Sequence, residues 1–248
     1  MLSALRSLIF WLTFMISGML VQATFLGQWI LNGIGSGNSH RLAQRMRLYW
    51  SSFNLWLFFG IPKLRTLRFR SEHLPPQFIL VCNHRCNLDP LFVFVIGRPL
   101  LFLSKRSVLN VPVVGWWMRL CGDVPVDRSS KESRAGSLSL MRERLQRGDS
   151  LLVYPEGTRQ SHPDIALGPF KDGAFQMASE LKVPIVLLAL HRTDKIWPKG
   201  SLLLRSNHLQ YDFSEPLEVH GKTAEELKLQ SFEKMTEMLH TLKEQSPH

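Results

Sequence analysis

The chain has 248 residues, which is enough for one domain with a sizeable core and an appendage. Its net charge of +10 is unevenly placed, because the first 70 residues hold eight basic residues and no acidic one, whereas the remainder has 22 basic and 20 acidic residues. A basic excess in the most apolar part of the chain indicates an anionic membrane surface, and the sequence has no RNA- or DNA-binding signature that would favour a nucleic-acid partner.

The N-terminal part of the chain is predicted to be embedded in a membrane. Residues 7–40 contain no Lys, Arg, Asp or Glu, and the run Leu8–Ile34 exceeds the about 20 residues that one bilayer crossing needs. Three basic residues at 41–47, against Arg6 alone on the other side, predict that the C-terminal side faces the cytoplasm. The alternative is a secretory signal peptide, since residues 21–23 (Val-Gln-Ala) resemble a cleavage site.

A second apolar stretch follows the first. Residues 49–59 are too few to span a bilayer and too aromatic for an ordinary loop, so an interfacial or re-entrant helix is predicted there. We therefore assign residues 1–62 to a membrane anchor, which consists of a transmembrane helix and the interfacial or re-entrant helix, and residues 63–248 to a globular domain. The globular domain is expected at the cytoplasmic face of the membrane.

Past Pro75 and Pro76 the composition becomes that of a globular α/β domain. Short apolar runs alternate there with amphipathic segments of helical period. Strands are predicted at 78–82, 101–103, 151–154 and 183–190, an extended segment at 122–126, one or two edge strands at 201–213, and helices after Pro90, at 131–146, at 172–181 and after the capping box of Thr223 and Glu226. This alternation predicts an α/β fold with a mostly parallel sheet flanked by helices, preceded by the membrane-embedded helical segment.

Polar residues follow the first predicted strand at its carboxyl end, where open α/β sheets usually place their sites. His84 and Asp89 are five residues apart, about 140° around a helix, so they cannot share a helical face. In a tight turn, the carboxylate can hold one ring nitrogen of His84 and leave the other free, which is the arrangement of an oriented general base. The alternative is that Asp89 caps the helix that begins at Pro90 and that His84 is an ordinary surface residue.

The three cysteines, Cys82, Cys86 and Cys121, have no framework spacing and fit a reducing compartment. Cys82, His84 and Cys86 could be taken for a metal cluster, but no compact fourth ligand is evident, so no metal is predicted. Cys86 could also act beside His84 as a covalent nucleophile. A serine hydrolase is not indicated, because the sequence lacks the Gly-x-Ser-x-Gly elbow of that class.

A second predicted strand ends in the turn 155–159 (Pro-Glu-Gly-Thr-Arg), which begins 66 residues after Asp89. Together with the pattern Asn83-His84-x4-Asp89, this turn resembles the motifs of the glycerolipid (lysophospholipid) acyltransferase family, over roughly residues 70–215. The resemblance implies transfer of a fatty acyl chain from an acyl thioester to a lysophospholipid or glycerol phosphate. It also implies that His84 is the general base and that Asp89 orients it.

A phosphate on the acceptor needs cations at fixed positions. Arg159 and Arg128 can offer planar, bidentate contacts, and Lys105 can offer a point charge. Residues 122–128 resemble a further family block whose final arginine is matched by Arg128. The family motif itself implies acceptor binding by Glu156, Gly157, Thr158 and Arg159. The alternative is a surface ion pair between Glu156 and Arg159, with Lys105 in a solvated loop.

We therefore predict a membrane-bound O-acyltransferase. Its acceptor would be a lysophospholipid, in the first place 1-acyl-sn-glycerol 3-phosphate, and its product would then be phosphatidic acid. The donor, acyl-CoA or acyl-carrier protein, would be a co-substrate, and no cofactor is expected. Membrane lipids are the other expected partners, and nucleic acid is not expected. The remaining alternatives are acylation of a different lysolipid and a non-catalytic basic membrane-binding protein.

Overall fold

Two long helices precede the sheet. The computed structural model describes residues 2–31, 39–60, 73–126, 131–160, 167–198, 200–205 and 209–245. Helix α1 (Leu2–Leu31) contains a segment, Ser3–Gly27, that is long and apolar enough to cross a membrane, although a signal sequence or a core helix would meet the same criterion. Helix α2 (Ser39–Phe59) includes the predicted aromatic helix but begins at Ser39 rather than at residue 49. The predicted domain boundary after residue 62 falls outside the described residues.

The apolar runs predict most strands of the sheet, whereas residues 201–205, part of the edge-strand region predicted at 201–213, form no strand. The strands are β1 (Ile79–Cys82), β2 (Leu101–Lys105), β3 (Val124–Val126), β4 (Leu151–Val153), β5 (Ile185–His191) and β6 (Gln210–Phe213). In the described residues they form a six-stranded sheet in the order β3-β2-β4-β1-β5-β6. All neighbours pair in parallel except the edge strand β6, which runs antiparallel to β5. The central strands β1, β4 and β5 are buried almost throughout, because helices cover a parallel sheet.

The helices that follow the sheet strands are mostly short. They are α3 (Asp89–Phe92), α4 (Val114–Cys121), α5 (Lys131–Gln146), α6 (Gly173–Leu181), α7 (Thr193–Ile196) and α8 (Ala224–Glu244), with 3₁₀ turns at Val93–Ile96 and Arg106–Asn110. Helix α8 begins with the predicted capping box, in which Thr223 Oγ1 accepts the N–H of Glu226 and the Glu226 carboxylate accepts the N–H of Thr223. The predicted α/β fold is therefore confirmed.

Helix α2 is docked on the sheet by a buried ion pair. The Arg47 guanidinium pairs with the Asp123 carboxylate and also donates to the carbonyl oxygen of Leu100. The carboxylate accepts the N–H of Phe102 at 3.0 Å, and the guanidinium carbon lies 4.3 Å from the Phe102 ring centroid. Since both charged side chains are buried, α2 is fixed to the side of the sheet formed by β2 and β3.

Helix α1 also packs against the sheet domain. Gln22 Nε2 donates to the carbonyl oxygen of Val113 at 2.7 Å, and Arg6 donates to that of Leu204 at 2.9 Å. These two contacts are about 24 Å apart along the helix axis, at 1.5 Å per residue. A Cβ atom at Gly18 would lie 2.5 Å from Val113 Cγ1, so the close approach of α1 requires glycine there. Helix α1 is therefore held near both of its ends.

Candidate active site

The carboxyl end of β1 is tied to β5 by a side chain. Asn83 Nδ2 donates to the carbonyl oxygen of Leu190 at 2.9 Å, and Asn83 Oδ1 accepts the N–H of Leu190 at 2.8 Å. The asparagine side chain thereby continues the pairing of the two strands past Cys82, the last residue of β1. These two bonds fix the start of the turn that carries His84.

His84 and Asp89 meet in this turn. His84 Nδ1 lies 2.8 Å from Asp89 Oδ2, and Asp89 is fully buried. The same oxygen accepts the N–H groups of Arg85 and Cys86, each at 2.7 Å. An ionised carboxylate can only accept, so Nδ1 is the ring nitrogen that carries hydrogen, and Nε2 is left to accept a proton. The imidazole is 18% exposed, which leaves it accessible to a substrate.

Asp89 does not cap α3. The helix begins at Asp89 itself, Leu88 occupies the cap position, and no side chain caps the helix. The prediction of an N-cap is wrong because the Asp89 carboxylate turns back toward the amides of the preceding turn. The burial of Asp89 and its bond to His84 likewise contradict the reading of an unconnected surface histidine.

Glu156 joins the second motif to the first. Its Oε1 accepts the N–H of His84 at 2.9 Å, and its Oε2 accepts the N–H of Gly168 at 2.8 Å. Burial raises the pKa of Glu156, and the amide bonds from Gly168 and His84 act in the opposite direction. Glu156 is only 4% exposed, and in the described part of the chain it forms no ion pair with Arg159. The alternative of a surface ion pair is therefore wrong.

The turn after Glu156 depends on glycine. Gly157 has a φ of +69°, in the left-handed region that glycine enters without strain, and a Cβ atom there would lie 2.5 Å from Lys171 Nζ. Thr158 is exposed on this turn, and Gln160 N–H then donates to the carbonyl oxygen of His84 at 2.9 Å. The turn is thus closed against the His84 segment and presents Thr158 to solvent.

Tyr154 is a residue of the site that sequence analysis did not single out. Its ring stacks on the His84 imidazole, with ring centroids 4.1 Å apart and planes inclined by 18°. The hydroxyl is buried and has no hydrogen-bond partner among the described residues, and burial raises the pKa of Tyr154. Tyr154 directly follows Val153, which pairs with Val81, so it lies opposite the end of β1, and this position is known only from the strand register.

Arg159 lines a cleft of about 250 Å³ beside the His84 turn. The other lining residues are Arg85, Cys86, Asn87 and Gln160 from the two motifs, and Asp194, Lys195, Trp197, Pro198, Gly200 and Arg205 from the segment after β5. The acidic side chain in this lining, Asp194, is already 3.2 Å from Arg85 Nε. The cleft therefore has an excess of positive charge and suits an anionic group.

The sequence predicts two further phosphate ligands, Lys105 and Arg128. Lys105 is exposed at the carboxyl end of β2, two strands away from β1, and is not part of the cleft lining. Its register partner in β3 is Val126, and Arg128 lies just beyond that residue, outside the described residues. The structure thus brings Arg159 to the cleft but does not bring Lys105 there, and the roles of all three remain predictions.

Cys86 is poorly suited to act as a nucleophile. Burial raises the pKa of its thiol to about 12, with the Asp89 carboxylate acting in the same direction. A thiol this weakly acidic stays protonated at neutral pH, whereas the thiolate is the reactive species. The sulfur instead lies 3.4 Å from the Leu88 nitrogen and 3.5 Å from the carbonyl oxygen of Trp197. Within the described ranges, no group of three or more His, Cys, Asp or Glu is arranged to hold a metal ion.

The site thus combines a histidine held by a buried aspartate with a cleft of excess positive charge, at the carboxyl end of parallel strands, and this geometry suits a general base. The family model described as Acyltransferase matches residues 67–191, which include both motifs. This chain therefore belongs to the Acyltransferase family, and the predicted family is confirmed.

Two relatives agree with this assignment. The chain is 35% identical over 152 residues to the 1-acyl-sn-glycerol-3-phosphate acyltransferase BAT2, chloroplastic, of Brassica napus, which covers 61% of this chain and 43% of that protein. It is 31% identical over 191 residues to the corresponding protein LPAT1, chloroplastic, of Arabidopsis thaliana, which covers 77% of this chain and 52% of that protein. The chain thus spans about half the length of these relatives.

A similar solved structure is that of the 1-acyl-sn-glycerophosphate (LPA) acyltransferase PlsC from Thermotoga maritima. The TM-score is 0.76 at 21% sequence identity, and the match covers 99% of this chain and 98% of that one. At this identity the similarity shows a shared fold, which includes the two N-terminal helices as well as the sheet.

Proposed function

We propose that this protein transfers a fatty acyl chain from an acyl thioester to the free hydroxyl of a lysophospholipid. The proposed acceptor is 1-acyl-sn-glycerol 3-phosphate, and the product is then phosphatidic acid. The observation that carries the proposal is the 2.8 Å contact between His84 Nδ1 and the buried Asp89, beside the cleft lined by Arg159. The printed names of the relatives support this choice of acceptor.

The proposed reaction begins with His84 as general base. Nε2 removes the proton of the acceptor hydroxyl while that oxygen attacks the thioester carbonyl, so a C–O bond forms and the C–S bond then breaks. The thiolate that leaves takes the proton back from the imidazolium. Asp89 keeps the ring in the required tautomer and stabilises the imidazolium without taking the proton. A positioned base of this kind typically contributes about 10²–10⁴ in rate.

The acceptor phosphate is proposed to bind Arg159, whose planar guanidinium can make two parallel hydrogen bonds. Glu156 and Gly157 support acceptor binding by holding the turn in place, and Thr158 is available to the ligand on the exposed side of that turn. Lys105 and Arg128 stay proposed phosphate ligands from the neighbouring strands. The reaction needs no cofactor, since acyl-CoA or acyl-carrier protein supplies the activated acyl group as a co-substrate.

We propose further that residues 1–62 hold the protein on the membrane, with residues 63–248 as the acyltransferase domain at its cytoplasmic face. One side of α1 packs on the sheet domain through contacts near both helix ends. The opposite side exposes a row of large apolar residues, among them Leu5, Leu8, Leu12, Ile16 and Met19. A helix held lengthwise in this way supports residence along one leaflet, because a perpendicular crossing would draw the domain into the bilayer.

The test is acyl transfer by the purified full chain in detergent or lipid discs. Acyl-CoA and acyl-carrier protein are each offered with a panel of lysolipids. We expect phosphatidic acid from lysophosphatidic acid with at least one donor. Efficient use of another lysolipid instead would change the acceptor. Membrane binding without any acyl transfer would favour the non-catalytic membrane-binding alternative.

A further inference from the structure

The segment after α7 forms a closed loop. The N–H of Arg205 donates to the carbonyl oxygen of Ile196 at 2.9 Å, which joins the two ends of the segment 197–205. Inside this segment, the Trp197 indole N–H donates to the carbonyl oxygen of Ser201. We call residues 197–198 and 200–205 the cleft loop, because Trp197, Pro198, Gly200 and Arg205 line the cleft beside the His84 turn.

The other side of the cleft loop is fastened to α1. The N–H of Leu204 donates to Ser7 Oγ at 2.8 Å, and the Leu204 carbonyl accepts from Arg6 at 2.9 Å. The Trp11 indole N–H donates to the carbonyl oxygen of Leu202 at 2.9 Å, and its ring lies 4.9 Å from that of Trp197. The loop therefore connects the apolar helix α1 directly to the wall of the cleft.

The tip of the loop exposes two leucines beside α1. Leu202 and Leu203 are 75% and 44% exposed, next to the point where Trp11 is bonded to the loop. Arg205 lies two residues after Leu203 and lines the cleft. This order of apolar tip followed by a basic residue matches the order of acyl chain and phosphate in a membrane lipid.

We infer that Lys195 and Arg205, together with Arg159, form a binding site for the phosphate of a substrate that enters the cleft from the membrane. The inference rests on the proposed function and names two further specificity-determining residues for it. Both side chains are exposed and line the cleft, whose acidic residue, Asp194, is paired with Arg85. Two substrates could supply the phosphate that this site binds. A lysolipid carries a phosphate on its headgroup, and CoA carries phosphate and diphosphate groups on its nucleotide part. The connection to α1 favours the lysolipid.

The test compares two double variants of the full chain. Lys195→Gln/Arg205→Gln removes two charges from the cleft, and Arg147→Gln/Lys234→Gln removes two charges from exposed positions on α5–β4 and α8. We expect the first variant to raise the KM for lysophosphatidic acid by at least about tenfold, with the KM for acyl-CoA unchanged, since one charge-assisted contact is typically worth about tenfold and the variant removes two cations. The second variant should match the wild type. A variant with Lys instead of Gln at position 205 should show only part of the loss.

Binding is measured separately from turnover. Glycerol 3-phosphate and CoA are each titrated by calorimetry into the His84→Ala protein, with and without the cleft substitutions. Loss of glycerol 3-phosphate binding supports the site, even if no acyl transfer is found and the proposed function itself fails. A rise in the acyl-CoA KM alone, or loss of CoA binding alone, would overturn the lysolipid assignment. Unchanged kinetics and binding in the cleft variant of an active enzyme would overturn the site.

Discussion

Two buried carboxylates hold His84 from different directions. Asp89 holds the imidazole through Nδ1, and Glu156 holds the backbone N–H of the same residue at 2.9 Å. Both oxygens of Glu156 are occupied by backbone N–H groups. Its contribution to acceptor binding is therefore expected to be indirect, through the position of the turn that carries Arg159. An amide in place of this carboxylate has only one acceptor oxygen. Replacement of Glu156 by glutamine should therefore leave one of the two N–H groups without an acceptor.

We predict that Glu156→Gln lowers the free energy of unfolding by about 1–3 kcal/mol, because one buried N–H group loses its acceptor. The difference should depend on pH. Since the pKa of Glu156 is raised above its ordinary value of 4.5 in the folded state, the folded protein binds this proton more tightly than the unfolded chain. The stability of the wild type relative to the variant should therefore fall as pH rises through 4.5 and above. Denaturant titrations at several pH values measure this, and a relative stability that increases with pH would contradict it.

Tyr154 is predicted to act through its ring and not through its hydroxyl. Tyr154→Phe keeps the stack on His84 and removes a buried hydroxyl without a described partner, so kcat should stay within about twofold and stability should not fall. Tyr154→Leu removes the aromatic contact, worth about 0.5–1.5 kcal/mol, and kcat should fall about two- to tenfold with KM nearly unchanged. Steady-state kinetics decides the matter. A loss in the phenylalanine variant as large as in the leucine variant would assign a role to the hydroxyl.

At the scale of elements, the strands were easier to predict than the N-terminal helices. Strands β1, β4 and β5 are continuous apolar runs, and burial on both faces explains that composition. Only the aromatic half of helix α2 is predicted from the sequence. Its first half is basic, like the segments that flank a membrane-embedded helix, and gives no separate helix signal. That half is helical and partly buried because Arg47 finds its partner, Asp123, 76 residues away. A pairing at this separation leaves no local signal in the sequence.

The Arg47–Asp123 pair is predicted to be a main attachment of α2. Arg47→Met should lower the free energy of unfolding by about 3–5 kcal/mol, because it leaves the Asp123 carboxylate buried without its counter-ion. Arg47→Met/Asp123→Asn should recover part of the loss, since the asparagine oxygen can still accept the N–H of Phe102. Denaturant unfolding of the detergent-solubilised protein provides the comparison. A loss below about 1 kcal/mol, or no recovery in the double variant, would show that the pair does not hold α2.

The candidate site was predictable to the extent that it lies in the two motifs. The spacing of His84 and Asp89 and the turn at 155–159 predict that His84 and Arg159 lie at one edge of the sheet, and the structure has them there. The remaining parts depend on tertiary contacts: Tyr154 has the sequence appearance of a core aromatic, and Arg205 reaches the cleft only because a loop closes on Ile196. Residues of this kind become visible only when the strand register and the loop closure are known.

At the scale of the whole molecule, we propose that α1, α2 and the cleft loop lie on one membrane-facing side. Leu8→Ser/Leu12→Ser/Ile16→Ser changes three residues that are each more than half exposed and do not belong to the core. We expect this variant to lose at least tenfold in partition to anionic vesicles while it stays folded, because apolar area drives interfacial binding. Leu138→Ser/Leu229→Ser, exposed on α5 and α8, is the control and should bind like the wild type. Equal binding of all three proteins would contradict the proposed orientation.

The mature N-terminus tests the signal-peptide alternative. A mature chain beginning at Thr24, found by mass measurement, would establish that alternative.

The central claim is that His84, held by Asp89, is the general base of acyl transfer. The most direct measurement is kcat of His84→Ala with lysophosphatidic acid and acyl-CoA, for protein whose unfolding transition and vesicle binding match those of the wild type. Loss of a positioned base predicts a fall in kcat of about 10²–10⁴-fold. A variant that keeps more than about a tenth of the wild-type kcat would contradict the claim.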